Sequence, residues 1–410
     1  MINVLWVSLF LISALNAFYH LIFLSDAEII NKIIASIFQN AQTAVDISIG
    51  LIGILSFWLG VLKLIETSGL AGIISRKLSP FFQIIMKDIP SNSPAISTVV
   101  LNMTANFLGL DNAATPMGLK AMEQLQDYNK EKDTASDSQI LFMILNASSV
   151  TFIPITIFMY RAQLGASYPT DVFVPILLAT SVSTLVGFFC VAIKQNINLR
   201  NPLLIKFFSC FLLFIISLSV GFYLLSPDKR LALSSAIGNC ILLILICSIF
   251  ILCLRQRVAC YEVFIEGAKE GFSVAIRILP YLLAMLVAIG VFRASGVLDF
   301  ITDCCKNFFN YIHVDSHFTD ALPTAFMKPF SGSGARAMMI ETMKNFGPDS
   351  FAAFTSSVIQ GSTETTFYVL TVYFGAVNIS KTRYALKYAL FSDLSGIIAA
   401  ILFAYLFYAH

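Results

Sequence analysis

Two polar runs stand near the C-terminal end of a chain that is otherwise mostly apolar. Residues 327–336 read MKPFSGSGAR and residues 361–368 read GSTETTFY. Polar backbone and charge are tolerated at membrane depth only where they are buried in protein or line a wet cavity. The two runs therefore predict a site that binds a small polar solute.

The first run has the composition of a turn between two half-helices. Its small residues are Ser331, Gly332, Ser333 and Gly334. Small residues let a ligand approach the backbone, and a half-helix that begins here presents unpaired N–H groups and a positive dipole end. Arg336 opposes that dipole, so we expect it to have a carboxylate or ligand partner, with Glu341 and Glu364 as the candidates.

The second run lies in the middle of an apolar segment and predicts local unwinding of a helix, because glycine and threonine are weak helix formers. The candidate binding residues of this segment are Gln360, Ser362, Thr363, Glu364 and Thr365. A carboxylate at this depth is costly if it is ionised and unpaired. We therefore expect Glu364 to be protonated, paired with Arg336 or bound to a cation, and to couple transport to H⁺ or Na⁺.

A weaker echo of both runs lies in the first half, at a tip near residues 109–114 and in a polar segment ahead of Pro154. The candidate binding residues there are Asp111, Asn112, Thr115, Asn146, Ser148 and Ser149. Asp111 also suits a helix N-cap. The polar segment at 146–151 holds no carboxylate, so ion coupling is expected to rest on the second half.

Composition predicts an all-α polytopic membrane protein. The chain is 57% hydrophobic and 12% charged, with a net charge of +2, whereas a soluble domain is roughly 25% charged. About 20 apolar residues cross a bilayer, and the qualifying segments lie near 3–24, 45–65, 139–160, 172–193, 204–225, 231–254, 274–292, 352–376 and 386–408. We expect membrane lipids but no nucleic acid as partners, and no metal and no cofactor apart from a coupling ion. The sequence has no ATP-binding, zinc or hydrolase motif, so it is not expected to be an enzyme.

Two long regions between spans, 66–138 and 293–351, predict re-entrant hairpins. Each begins with a Ser-Gly step and an amphipathic stretch, and then enters two apolar pieces too short to cross. The two halves align. Three spans of the first unit and the two connecting spans make five, an odd number, so the second unit should enter the membrane from the opposite face and the repeat should be inverted, as in many secondary transporters. The predicted units are 1–200, 201–258 (a connecting pair of spans) and 259–410. The bias of basic residues in short loops places the N-terminus in the cytoplasm of a bacterial inner-membrane protein.

The strings at these tips and interruptions also resemble a known family. Residues 110–122 (LDNAATPMGLKAM) resemble the signature of the spore maturation A proteins. Residues 328–336, 360–368 and 373–375 resemble that of the spore maturation B proteins, so the chain looks like an A–B fusion. Both groups belong to the nucleoside-recognition, or Gate, family, which is similar to parts of concentrative nucleoside transporters and of the membrane domain of the ferrous-iron transporter B. The resemblance implies an inverted-repeat membrane fold with hairpins and two interrupted transmembrane helices, and a role in spore maturation.

Three functions stay open at this point. The first is a secondary transporter of a small polar solute, anionic or nucleoside-like, in which tips and unwound spans form one midplane site. The second is a membrane scaffold or ligand sensor in envelope or spore maturation, without transport. The third is a permease for metal ions or lipid headgroups. The relatives favour assembly into a homo-oligomer, which the sequence does not define further.

Overall fold

The structure, a computed structural model, is almost entirely helical. It describes residues 2–90, 93–109, 111–148 and 151–408, and only the backbone of residues 2, 71, 111–113, 227 and 228. The α-helices are α1 (Ile2–Phe23), α2 (Glu28–Thr67), α3 (Leu70–Ile85), α4 (Pro94–Phe107), α5 (Asp111–Asp127), α6 (Asp137–Ser148), α7 (Ile155–Gln163), α8 (Phe173–Lys194), α9 (Pro202–Tyr223), α10 (Pro227–Arg255), α11 (Cys260–Ala294), α12 (Val297–Tyr311), α13 (Leu322–Met327), α14 (Gly332–Phe346), α15 (Phe351–Ser362), α16 (Thr366–Ala376) and α17 (Ala385–Phe407). A 3-10 helix, His317–Ala321, precedes α13.

Seven of the described helices, α1, α2, α8, α9, α10, α11 and α17, are long and apolar enough to cross a membrane. Two of them extend well beyond the predicted spans. The helix α2 has 40 residues and α11 has 35, because the more polar residues ahead of each apolar stretch continue the same helix. Hydropathy locates the apolar part of a helix, whereas its ends depend on caps and breakers. The chain is therefore an all-helical protein with the make-up of a multi-pass membrane protein.

The other two predicted spans, 139–160 and 352–376, each form two short helices. The first divides into α6, which ends at Ser148, and α7, which begins at Ile155, and the described residues 151–154 between them are not helical. The second divides into α15 and α16, and residues 363–365 between them are not helical. Both breaks fall on the polar segments that the sequence singled out.

The two Ser-Gly steps have the same local structure. Gly69 precedes α3 with φ +65°, and Gly296 precedes α12 with φ +82°. This left-handed conformation is easily adopted by glycine alone, so it ends one helix and starts the next. The preceding serines, Ser68 and Ser295, are both fully buried, and each hydroxyl donates to the carbonyl three residues earlier, at 2.9 and 2.8 Å. The two steps are therefore alike in local structure as well as in sequence.

The described chain divides into two compact units, each assembled from several segments. The first unit is Met1–Gly60, Thr156–Pro169 and Ile265–Gln360. Within it, α13 packs on α14 and α1 packs on α12. The second unit is Val61–Ile155, Thr170–Phe264 and Gly361–His410. Within it, α17 packs along α8, α4 packs on α5, and a large apolar core includes Val99, Phe142, Phe188 and Phe374. The division by repeats at 200 and 258 stays a prediction.

Candidate functional site

The two helix interruptions meet in the second unit. The backbone N–H of Glu364 donates to the carbonyl of Ala147, with a donor–acceptor distance of 2.8 Å. Ala147 lies in the last turn of α6, and Glu364 lies between α15 and α16. A helix that stops leaves unpaired carbonyls at its end. Here the second interruption supplies a donor for one carbonyl that has no partner within the first helix.

Neighbouring backbone groups at the first interruption are also satisfied by the protein. The carbonyl of Ser148 accepts hydrogen bonds from the hydroxyls of Thr180 and Thr184, at 3.2 and 3.1 Å. The N–H of Phe152 donates to the carbonyl of Phe107 at 3.1 Å. Because Phe107 is the last residue of α4, this bond fixes the tip of the first hairpin against the interruption. Buried backbone groups require such partners.

Four neutral side chains, which we term the asparagine–tyrosine cluster, lie between α4, α6 and α16. They are Asn102, Asn106, Asn146 and Tyr373. The Oδ1 atom of Asn146 accepts from Asn106 Nδ2 at 2.7 Å and from the Tyr373 hydroxyl at 3.1 Å. Asn102 Nδ2 donates to the carbonyl of Ala114 at 2.7 Å and lies 3.4 Å from the same hydroxyl.

The cluster is closely packed but leaves one acceptor open. A Cβ at Gly118 would lie 2.3 Å from the Tyr373 hydroxyl oxygen, so only glycine fits beside the phenol. Asn102 is fully buried, and its Oδ1 atom accepts no hydrogen bond within the described part of the chain. A buried acceptor without a donor costs free energy. The cluster therefore combines close packing with one acceptor that the described residues leave unsatisfied.

The tip between α13 and α14, in the first unit, starts the 15-residue helix α14. Ser331 is the N-cap of α14, and its hydroxyl accepts from the N–H of Gly334 at 3.0 Å and lies 3.2 Å from the hydroxyl of Ser333. Gly332 is the first helical residue. The remaining N–H groups of the first turn point along the positive end of the helix dipole.

The sequence suggests Glu341 as a partner of Arg336, but the two residues do not pair. Five residues apart on one helix, the two side chains leave it on different sides. Glu341 is instead buried against Arg293 of α11, with Oε1 and Nε 2.5 Å apart. The guanidinium of Arg336 lies over the ring of Tyr160, 5.6 Å from its centroid. Within the described residues Arg336 has no ion pair, so it retains hydrogen-bond donors for a ligand.

Lys328 is a deeply buried cation beside this tip. It was not among the residues predicted for the site. It is 3% exposed, and its Nζ donates to the carbonyl of Gln360 at 2.7 Å. Gln360 is the last residue before the GSTETT segment, so an ammonium lies at the carbonyl end of α15, where the helix dipole favours positive charge. The sequence carried a signal for it, a lysine inside an apolar hairpin.

The remaining predicted residues divide into buried, exposed and undescribed groups. Ser148, Ser362, Thr363 and Thr365 are buried, and Thr115 is half-buried in α5. The side chain of Glu364 is exposed, although its backbone is held by Ala147. Asp111 and Asn112 begin α5, but their side chains, and all of Ser149, lie outside the described residues. Of the sixteen candidates, Asn146, Ser148 and the 362–365 segment belong to the second unit, and the Ser331–Arg336 tip with Gln360 belongs to the first.

These features define a class of protein: a helical, multi-pass membrane protein in which two interrupted helices meet at their breaks. The chain belongs to the Gate family, described as nucleoside recognition, whose profile matches residues 48–164 and 275–380, more than half of the chain. It is 40% identical to spore maturation protein A of Bacillus subtilis (strain 168) over 183 residues, which are 45% of this chain and 90% of that protein. It is 50% identical to spore maturation protein B of the same organism over 147 residues, which are 36% of this chain and 81% of that protein.

The two relatives cover different parts of the chain, which confirms the resemblance found in the sequence. No solved structure matches this chain significantly.

Proposed function

We propose that this protein is a secondary transporter of a small polar solute in the bacterial cytoplasmic membrane, driven by H⁺ or Na⁺. The observation that carries the proposal is the bond between the Glu364 N–H and the Ala147 carbonyl, which brings two unwound segments together. Unwound helices inside a membrane protein are a recurring way to build a solute site, because they free backbone groups to bind a ligand.

The lengths of the hairpin helices support re-entry rather than crossing. The helices α4, α5 and α14 have 14, 17 and 15 residues, so each is about 21–26 Å long and falls short of a full span. The two separate matches of the Gate profile support a duplicated unit. We propose that the duplication is inverted, with the N-terminus in the cytoplasm.

The chemistry of the second tip favours an anionic or strongly hydrogen-bonding solute. The N-terminal turn of α14 and the guanidinium of Arg336 are both donors, and within the described residues Arg336 has no carboxylate partner. The description of the family makes nucleosides one class to test, and dicarboxylates and acidic amino acids are the anionic classes. We propose no catalytic chemistry for the protein.

The experiment has two stages. Purified protein is first screened by thermal shift against uridine, adenosine, glutamate, succinate, Na⁺ and Fe²⁺. Compounds that stabilise it are then tested for uptake into proteoliposomes with a pH gradient, with a sodium gradient and with neither. We expect gradient-dependent uptake that Arg336→Gln reduces and that Lys269→Gln, at an exposed position in the same unit, does not.

The outcomes separate the candidate functions. Uptake that no gradient stimulates would contradict secondary transport. Stabilisation by a compound that never crosses the membrane would indicate the ligand sensor or scaffold instead. Stabilisation and uptake confined to Fe²⁺ would indicate a metal permease.

A further inference from the structure

One carboxylate lies inside an apolar helix and does not belong to the site described above. Asp393 lies on α17, within Ala385–Phe407, one of the helices that can cross a membrane. It is 1% exposed. Ionisable residues within such helices are expensive and usually mark ion or proton pathways. The sequence reasoning assigned ion coupling to Glu364 and gave Asp393 no role.

The surroundings of Asp393 place it at the middle of the second unit. The adjacent residue, Ser392, exchanges two hydrogen bonds with Ser183: each hydroxyl donates to the other residue's carbonyl, at 2.7 and 3.0 Å. Ser183 is halfway along the 22-residue helix α8. Asp393 is therefore far from both ends of the helix against which α17 packs most extensively.

The same turn of α17 contacts the second interruption. Gly396 is one turn after Asp393, and residues three apart on a helix share a face. A Cβ at Gly396 would lie 2.7 Å from Thr363 Cγ2 and 2.9 Å from Ser183 Cβ. Thr363 is the first non-helical residue after α15. A rearrangement of the interruption would therefore act directly on the turn that carries Asp393.

Few other titratable groups lie near Asp393 in the second unit. The stretches of α8 and α6 nearest to it, residues 173–189 and 140–148, contain no ionisable side chain. The helices α9 and α10 carry their charges close to their ends. The titratable side chains described on the elements packed against α17 are Glu364 in the interruption, Tyr368 and Tyr373 on α16, Asp137 at the start of α6, Cys190 and Lys194 on α8, Lys206, Cys210 and Tyr223 on α9, and Lys229, Arg230, Cys240, Cys247, Cys253 and Arg255 on α10.

On this geometry we propose that Asp393 is the side chain that carries the coupling proton of the transport cycle. The inference rests on the proposed function, and it names H⁺ as the coupling ion. In one state the carboxylate takes a proton from one aqueous side, and after the interruption rearranges it releases that proton to the other side. A single buried carboxylate can hold a proton without further ligands, whereas Na⁺ requires several oxygen ligands arranged around it. Glu364 suits the carrier role less well, because its side chain is exposed in this state.

The first test measures proton binding without any solute. Full-length protein in lipid nanodiscs is studied by infrared difference spectroscopy between acidic and alkaline pH. Among the bands of all the carboxyl groups that titrate in this range, we expect one protonated carboxyl band that belongs to Asp393 and disappears at alkaline pH. Asp393→Asn should abolish this band, Asp393→Glu should shift it, and Glu364→Gln should leave it in place. The inference is overturned if wild-type protein has no such band, or if the band survives in both Asp393 variants. The presence of the band in wild type and its shift in Asp393→Glu are each decisive. The test therefore remains valid even if Asp393→Asn misfolds.

The second test separates this inference from the proposed function. Proteoliposomes are loaded with a pH-sensitive dye and assayed for uptake of tritiated uridine and labelled succinate under a pH gradient. We expect uptake and internal pH change to fall together in Asp393→Asn, to the level of empty liposomes. If pH-driven uptake is the same in wild type and Asp393→Asn, the proton-carrier role is wrong and transport stands. If the infrared band behaves as expected while neither solute moves in any variant, the transporter proposal loses its support and the proton site stands.

Discussion

The two helical hairpins follow the same order of elements but present opposite chemistry. The first hairpin, α4 and α5, meets its neighbours through the asparagine–tyrosine cluster, which contains no charge. The second, α13 and α14, buries Lys328 and Glu341 and holds Arg336 against an aromatic ring. Two hairpins with the same order of elements can therefore have interiors of different chemistry.

The difference has an energetic consequence. A neutral network is stable over a wide pH range, and each of its hydrogen bonds contributes a modest net free energy. Buried charges depend on their partners, because removing one partner leaves the other uncompensated at low dielectric. The second hairpin should therefore be the more sensitive of the two to single substitutions.

The largest expected effect is at the ion pair between Arg293 and Glu341. Replacing Arg293 with Met leaves the buried Glu341 carboxylate without its partner, which should destabilise the protein by about 3–5 kcal/mol. The free energy of unfolding in detergent micelles measures this. Arg293 also lies 3.6 Å from Asp299, which is 57% exposed, so Asp299→Asn is a matched control and should cost no more than about 1 kcal/mol. Equal effects of the two substitutions would contradict a special role for buried charge in this hairpin.

The next effect is at Lys328. Its hydrogen bond to the Gln360 carbonyl is charge-assisted and buried, and Lys328→Met should lower the free energy of unfolding by about 1.5–3 kcal/mol. Lys269, an exposed lysine on α11 in the same unit, provides the control, and Lys269→Met should change stability by less than about 0.5 kcal/mol. Hydrogen exchange adds a local readout: in Lys328→Met the last turn of α15 should exchange faster. Unchanged exchange there would indicate that the lysine does not hold the helix end.

A smaller effect is expected in the neutral hairpin. Tyr373→Phe removes the hydroxyl that links Asn102 and Asn146 and should cost about 0.5–1.5 kcal/mol. Tyr368→Phe, on the same helix but 59% exposed, should have almost no effect. If Tyr373→Phe proves as costly as Arg293→Met, the two hairpins do not differ in the way proposed here.

The sequence predicted these regions because their signals are local. Glycine, serine and threonine within apolar segments marked both interruptions, and the Ser-Gly steps marked the starts of α3 and α12. A glycine that must adopt positive φ, or a polar run at membrane depth, is recognisable from a few neighbouring residues.

The parts that the sequence did not predict depend on contacts between distant segments. Tyr373 meets Asn102 across 271 positions of the chain, and no local pattern indicates that pairing. Glu341 was assigned to Arg336 because the two are close in sequence, but α14 directs them to different sides. Asp393 is different, because an acidic residue in an apolar span is a local signal, and the more conspicuous GSTETT run drew the assignment of ion coupling to Glu364.

The smallest expected effect concerns a charge pair between two exposed loops. Asp133, between α5 and α6, pairs with Lys381, between α16 and α17, at 2.8 Å. The hydrogen bond from Lys381 lowers the pKa of the Asp133 carboxyl, and the same bond raises the pKa of the Lys381 ammonium. A carboxyl with a lowered folded pKa stabilises the protein above its unfolded pKa of about 3.9, and this contribution disappears as the pH falls through the folded value. An ammonium with a raised folded pKa stabilises below about 10.4, and its contribution disappears as the pH rises through the folded value.

The pair should therefore stabilise the protein only between these limits, and weakly, since both groups are exposed. Thermal unfolding of wild type and Asp133→Asn should differ slightly at neutral pH and should converge in acid. High salt should shrink the neutral-pH difference, because exposed charges are screened. A difference that persists in strong acid would show that Asp133 acts through its shape rather than its charge. In that case the contribution of Asp133 to stability would come from its packing and not from its pairing with Lys381.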